Sequence, residues 1–150
     1  MKLENAISAL RPGEKWILPG EQILENVIWE NPNIIPPTQQ EVDQEIERQE
    51  RQRELQNKVN AATSALNKRL LDLCVSWGYT SLASARAWQN DKNPKYRAES
   101  QVICDYSSDC FAISDQIEEG AIPMPSSVED FLALLPELPQ RPIIKDNSNA

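Results

Sequence analysis

Residues 38–76 read TQQEVDQEIERQERQRELQNKVNAATSALNKRLLDLCVS, and how they are read decides the fold. The stretch holds neither Pro nor Gly, although the chain carries 11 prolines and 4 glycines. Breakers crowd both sides and leave it alone, so it is predicted to be one long helix, roughly 58 Å at about 1.5 Å per residue. Thr38 with Glu41 three residues on, after Pro36-Pro37, has the capping-box pattern at its start. Val42 and Ile46 share one face, and Glu47 to Glu54 is polar all round. Leu55, Val59, Ala62, Leu66 and Leu73 then follow at 4-3-4-7 spacing, with Ala65, Leu70 and Leu71 widening the stripe. The alternation resembles a heptad seam, but Arg69 falls on it. Leu55 also lies nine residues after Ile46, which is the opposite side of a helix that turns about 100° per residue. One seam from 42 to 73 is therefore excluded. The helix is expected to be a rod whose first turns face one partner and whose last turns face another. Pairs such as Glu47–Arg51 and Glu50–Arg53 lace a solvated middle.

Upstream, residues 1–37 form a separate β/turn module. Met1–Leu10 reads as a short helix or an irregular arm. Arg11-Pro12-Gly13 is turn chemistry, because Pro presets φ and Gly permits positive φ. Lys15-Trp16-Ile17-Leu18 and Val27-Ile28-Trp29 are strand candidates on either side of Pro19-Gly20, expected to pair as a small antiparallel hairpin. A lone hairpin is marginal at best. Trp16, Ile28 and Trp29 must therefore bury against the first turns of the long helix or against another chain. Together with Val42, Ile46, Ile143 and Ile144 they are the candidate partner-interface residues.

Downstream, Trp77-Gly78-Tyr79 ends the helix, with Gly78 suited to the left-handed position after it. Thr80 or Ser81 caps a short helix from Leu82 to Gln89, whose small residues allow close packing. Asn93-Pro94 restarts the chain as N-cap and first helical residue. The third helix carries Tyr96, Ile103, Tyr106, Cys110, Ile113 and Ile117 at 7-3-4-3-4 spacing, an amphipathic pattern that Gly120 stops. Ser126 with Glu129 predicts another capping box, before Val128, Phe131, Leu132 and Leu135. The fold class is mainly α: a hairpin module (1–37), a long connecting helix (38–76), a small helical bundle (77–136, with the second half of the long helix) and an extended or disordered tail (137–150). The expected bundle core is Leu55, Val59, Leu66, Leu70, Leu73, Trp77, Tyr96, Ile103, Tyr106, Ile113, Ile117, Phe131, Leu132 and Leu135.

Composition narrows function by exclusion. The net charge is −8 over 150 residues, which argues against nucleic acid and against an anionic membrane surface. No apolar run approaches the roughly 20 residues of a membrane span. Glu4 and Asn5 interrupt what would be the apolar part of a signal peptide. The chain has no histidine, which removes the commonest general base and metal ligand. Cys74, Cys104 and Cys110 show no paired spacing and read as buried free thiols in a reducing cytoplasm. Asp105 with Asp109, and Glu118 with Glu119, read as solvated acidic faces. Trp77, Tyr79, Trp88 and Tyr96 gather near the inter-helix turn and read as core filling. No catalytic, cofactor-binding or metal-ligating set is expected. A cytoplasmic enzyme or regulator built on the acidic bundle remains the reading from another class.

Several local patterns coincide. Leu10-Arg11-Pro12-Gly13, Trp16-Ile17-Leu18 before Gly20, Ile28-Trp29 and Pro37-Thr38 before Glu41 resemble the N-terminal module of small tailed-bacteriophage tail proteins. Trp77-Gly78-Tyr79, Ala83-Ser84-Ala85, Asn93-Pro94 before Tyr96, and Ser127-Val128-Glu129 through Leu135-Pro136 resemble their helical C-terminal module. The series covers most of residues 10–136. It departs at Cys104–Asp109, where family members carry a tryptophan-containing WRD segment. The resemblance implies a non-enzymatic tail-fibre component in the virion tail, made in the host cytoplasm, that joins or stabilises fibre subunits without a cofactor. It implies fibre or baseplate proteins as partners, in a homotrimer or a trimeric hetero-assembly. The alternative it leaves open is a fibre-assembly chaperone that is not retained in the particle.

Overall fold

The structure, a computed structural model, describes residues 2–144. Residues 145–150 of the expected tail lie outside the described residues. The chain is mainly helical, with one two-stranded antiparallel hairpin near its N-terminus. It divides into two compact units, Met1–Asn57 and Lys58–Ala150, and the boundary falls inside the long helix.

In the first unit, α1 (Lys2–Leu10) buries Leu3, Ala6 and Ile7 on one face. Gly13 then turns the chain at φ 83°, a conformation that favours glycine. Strand β1 (Trp16–Ile17) pairs with β2 (Ile28–Trp29) in the register Trp16↔Trp29 and Ile17↔Ile28. Alternation along each strand puts both tryptophans on one face and both isoleucines on the other. The tryptophans pack on a small core of Leu3, Ala6, Ile7 and Val42. Helix α2 (Gln39–Ser76) supplies Val42 and also Ile46, which packs against the same core. Its start is capped reciprocally: the Thr38 N–H donates to the Glu41 carboxylate (2.7 Å), and the Glu41 N–H donates to Thr38 Oγ1 (3.2 Å). These bonds satisfy donors that the first helical turn leaves without partners. Charge pairs continue along the helix, with Arg48–Glu45 at 2.6 Å and Arg51–Glu47 at 3.4 Å. Glu50, expected to pair with Arg53, is bound by the Lys2 ammonium of α1, and the Arg53 charge acts on it at longer range.

In the second unit, α2 packs through Leu66, Leu70, Leu73 and Cys74. It ends at Ser76, and Gly78 at φ 93° turns the chain. Helix α3 is shorter than expected, Leu82–Arg86, because the chain tightens into i→i+3 turns at Trp88 and Gln89. Ser81 is its N-cap, in a box with Ser84. Helix α4 (Pro94–Glu118) starts on the Asn93 cap and buries Ile103, Tyr106, Cys110 and Ile117. Helix α5 (Val128–Leu134) begins one residue later than predicted. Ser127, not Ser126, is the N-cap; it accepts from the Asp130 N–H at 3.1 Å, while Ser126 bonds the Asp130 carboxylate. Phe131 and Leu135 close the core. Ile113 and Leu132 pack against it partly buried.

Three expected core residues stand outside the buried cluster. Leu55 is 49% exposed, because the buried positions of α2 resume only at Leu66, with Ala62 packed against them. Tyr96 is 37% exposed in the first turn of α4, its ring tilted against Trp88 at 5.1 Å between centroids. Val59 is half-buried. Among the described residues no helix is long and apolar enough to cross a membrane.

Candidate functional site

Two kinds of feature mark this molecule: exposed apolar positions in the N-terminal unit, and charged residues set into the seams of the bundle. In the N-terminal unit the tryptophan face of the hairpin is taken up by the local core. Trp16 and Trp29 are half-buried. Val42 is fully buried and Ile46 packs beside it, so these two expected interface residues are occupied within their own unit. The opposite face of the hairpin is open, with Ile17 and Ile28 each 57% exposed. Ile35, in the connector before α2, is also exposed. At the other end of the described chain Ile143 stands 92% exposed and Ile144 is also exposed.

In the bundle, Arg69 lies on the apolar stripe of α2 and is half-buried. Its guanidinium is aimed at neutral oxygens. Nε donates to the Tyr106 hydroxyl (2.6 Å), Nη1 to the Leu132 carbonyl (3.2 Å) and Nη2 to the Pro136 carbonyl (2.7 Å). These carbonyls belong to the end of α5 and the segment after it, which the helix cannot satisfy itself. Arg69 also borders an open apolar groove of about 780 Å³ between α2 and α5, floored by Ala65, Leu73, Val128, Leu132 and Leu138.

The second seam charge is Glu99, which is 0% exposed on α4. Its spacing to Ile103, Tyr106 and Cys110 is 4-3-4, so it continues the buried stripe of that helix. Arg141 Nε donates to Glu99 Oε1 (2.8 Å), and the Tyr79 hydroxyl donates to Glu99 Oε2 (3.0 Å). Arg141 Nη2 also reaches the Trp77 carbonyl (2.9 Å). Burial alone would raise the Glu99 carboxyl; the hydrogen bonds from Arg141 and Tyr79 outweigh it and hold the group below its ordinary range. Burial, with the adjoining Glu99 carboxylate, pushes the Tyr79 phenol up to about 12. Two buried serines lie on the same helix. Ser100 Oγ donates to the Ala85 carbonyl (2.7 Å), and Ser107 Oγ donates to the Cys104 carbonyl (2.9 Å).

Glu99 and Arg141 are absent from the set expected on sequence. Glu99 fills a position of the apolar stripe of α4 with a charge. The signal was present as the gap of seven between Tyr96 and Ile103. Its partner lies 42 residues away, beyond the reach of any local pattern.

The chemistry-bearing groups are otherwise quiet. Cys74, Cys104 and Cys110 are free and buried. Burial raises the Cys74 and Cys110 thiols, which keeps them protonated. Asp105 and Asp109 are exposed, and Asp105 accepts from Gln101 within its own helix (2.7 Å). Among the described residues no three His, Cys, Asp or Glu side chains stand together as a metal site. Compared with known proteins, the chain matches no family model, no curated protein and no solved structure.

Proposed function

We infer that this chain is a non-enzymatic adaptor of a bacteriophage tail fibre, one that joins or stabilises fibre subunits and is retained in the virion tail. The observation that carries the inference is the ordered series of motifs from Leu10-Arg11-Pro12-Gly13 to Leu135-Pro136, which resembles small tail-fibre components over most of residues 10–136. The hairpin supports it. Ile17 and Ile28 oppose each other across the strands with their side chains in water. An apolar pair of this kind suits an interface that another chain covers. Among the described residues each strand also keeps one edge without a strand partner, where an extended segment of the fibre protein can add by backbone hydrogen bonds. The partner is the fibre protein, in an assembly with three copies of this chain around the fibre axis.

Sizing chromatography of the chain with a tail-fibre protein of the same phage is expected to give a joint assembly of threefold stoichiometry. Separate elution of the two proteins would sink the inference. Mass spectrometry of purified particles is expected to find the chain in intact tails. Its absence there, with fibre binding kept, would make it an assembly factor that leaves the particle.

A further inference from the structure

The segment after α5 is held to the bundle in an unusual way. Residues 136–144 form neither helix nor strand, and Pro136, Pro139 and Pro142 lack the N–H that either would use. Among the described residues no backbone–backbone hydrogen bond ties 136–144 to the bundle. Side chains do the holding. Arg69 and Tyr106 take the Pro136 carbonyl where the segment begins (2.7 and 3.3 Å). Five residues on, Arg141 enters a socket made by the Glu99 carboxylate and the Trp77 carbonyl, with Tyr79 steadying the second carboxylate oxygen. Beyond this point Ile143 is in water.

The two sides of the ion pair are unequal. The Glu99 side chain is 1% exposed and fixed on α4, whereas the Arg141 side chain is 43% exposed. The arginine can withdraw into water by moving a short extended segment, and the carboxylate cannot follow. A carboxylate left buried without its cation is costly. The pair is thus a strong determinant of where the segment lies, beside the partial burial of Pro139 and Pro142.

We propose that Glu99, Tyr79 and the Trp77 carbonyl form an arginine socket, and that Arg141 is the pin of a latch that closes residues 137–144 onto the bundle and opens without unfolding it. The socket takes a guanidinium in particular. Its planar fork spans the carboxylate and the carbonyl together, which a lysine ammonium does not. The charged and titratable groups facing Glu99 are Arg141 from the segment, Tyr79 from the turn after α2 and, at longer range, Lys95 from α4. Tyr96 acts on the same cluster through Tyr79 and Arg141. Glu99 is held below its ordinary value of 4.5 when the latch is closed. The contribution of its charge is therefore complete above the ordinary carboxylate range and is lost as pH falls through the latched value. Acid opens the latch.

Backbone 15N relaxation of the full chain tests this. Gln140, Arg141 and Ile144 are expected to have order parameters of rigid backbone, about 0.85, at neutral pH and to fall below about 0.6 in Arg141→Gln. The order parameters of Ile103 and Cys110 on α4 should not change. Arg141→Lys should restore order only in part. Lowering the pH of the wild-type chain below the carboxylate range should reproduce the Arg141→Gln pattern. Order retained at 140–144 in Arg141→Gln would overturn the proposal. So would equal loss of order on α4, which would make Arg141 a part of the global core. The Arg141 side chain is 43% exposed, so Arg141→Gln removes no part of the buried core.

Discussion

The two compact units share one helix and are built very differently. Among the described residues the bundle buries thirteen apolar residues in one cluster, including Trp77, Tyr79, Tyr106 and Phe131. The N-terminal unit buries four, Leu3, Ala6, Ile7 and Val42, under half-buried tryptophan rings. Apolar burial stabilises by about 25 cal/mol per Å², so the bundle carries most of the stability. The N-terminal unit rests on a hairpin of two-residue strands, a structure that needs cover from elsewhere. The difference teaches that one uninterrupted helix does not imply one cooperative core. Phase decides: Val42 and Ile46 serve one core, Leu66 and Leu73 serve another, and the turns around Leu55 serve neither.

Substitutions sharpen the contrast. Phe131→Ala, in the bundle core, is expected to cost about 3–5 kcal/mol, read as a lower midpoint in urea unfolding. Ile7→Ala should cost about 2–5 kcal/mol, but only within the N-terminal unit. Hydrogen exchange should then rise in α1 and at the start of α2 while α4 stays protected, and equal loss in α4 would break the comparison. Thr38→Ala removes the cap of α2 and should cost about 1 kcal/mol. Leu55→Ala should stay within about 0.5 kcal/mol, as for a surface position; a loss of 2 kcal/mol or more, on the scale of large core truncations, would place Leu55 in a core after all.

Much of the fold was legible in the sequence, because its signals are local. The Thr38–Glu41 box, the Asn93-Pro94 start and Gly78 each act within a few residues, and each falls at a helix end. The hairpin strands were legible from aromatic and β-branched residues between turn signals. The Ser126–Glu129 pattern points to a cap one position too early; the adjacent serine carries the same signal, and the geometry gives the cap to Ser127. Tyr96 misled because an aromatic in the first turn of a helix lies beyond the reach of a core that begins one turn later. The Glu99–Arg141 pair was illegible for a deeper reason. Burial of a charge is tolerable only when its partner is in place, and the partner sits on an extended segment that carries no periodicity of its own.

If the chain is the proposed fibre adaptor, the open isoleucine face of the hairpin, rather than the bundle, is expected to be where the fibre protein docks. The direct measurement compares two surface variants of the full chain for co-elution with the fibre protein. One carries Ile17→Asp with Ile28→Asp, and the other carries Leu71→Asp with Val75→Asp on the exposed side of α2 in the bundle. The first pair is expected to abolish the joint assembly and the second to preserve it, with both chains folded by circular dichroism. Retained binding by the hairpin variant, or loss confined to the bundle variant, would contradict it.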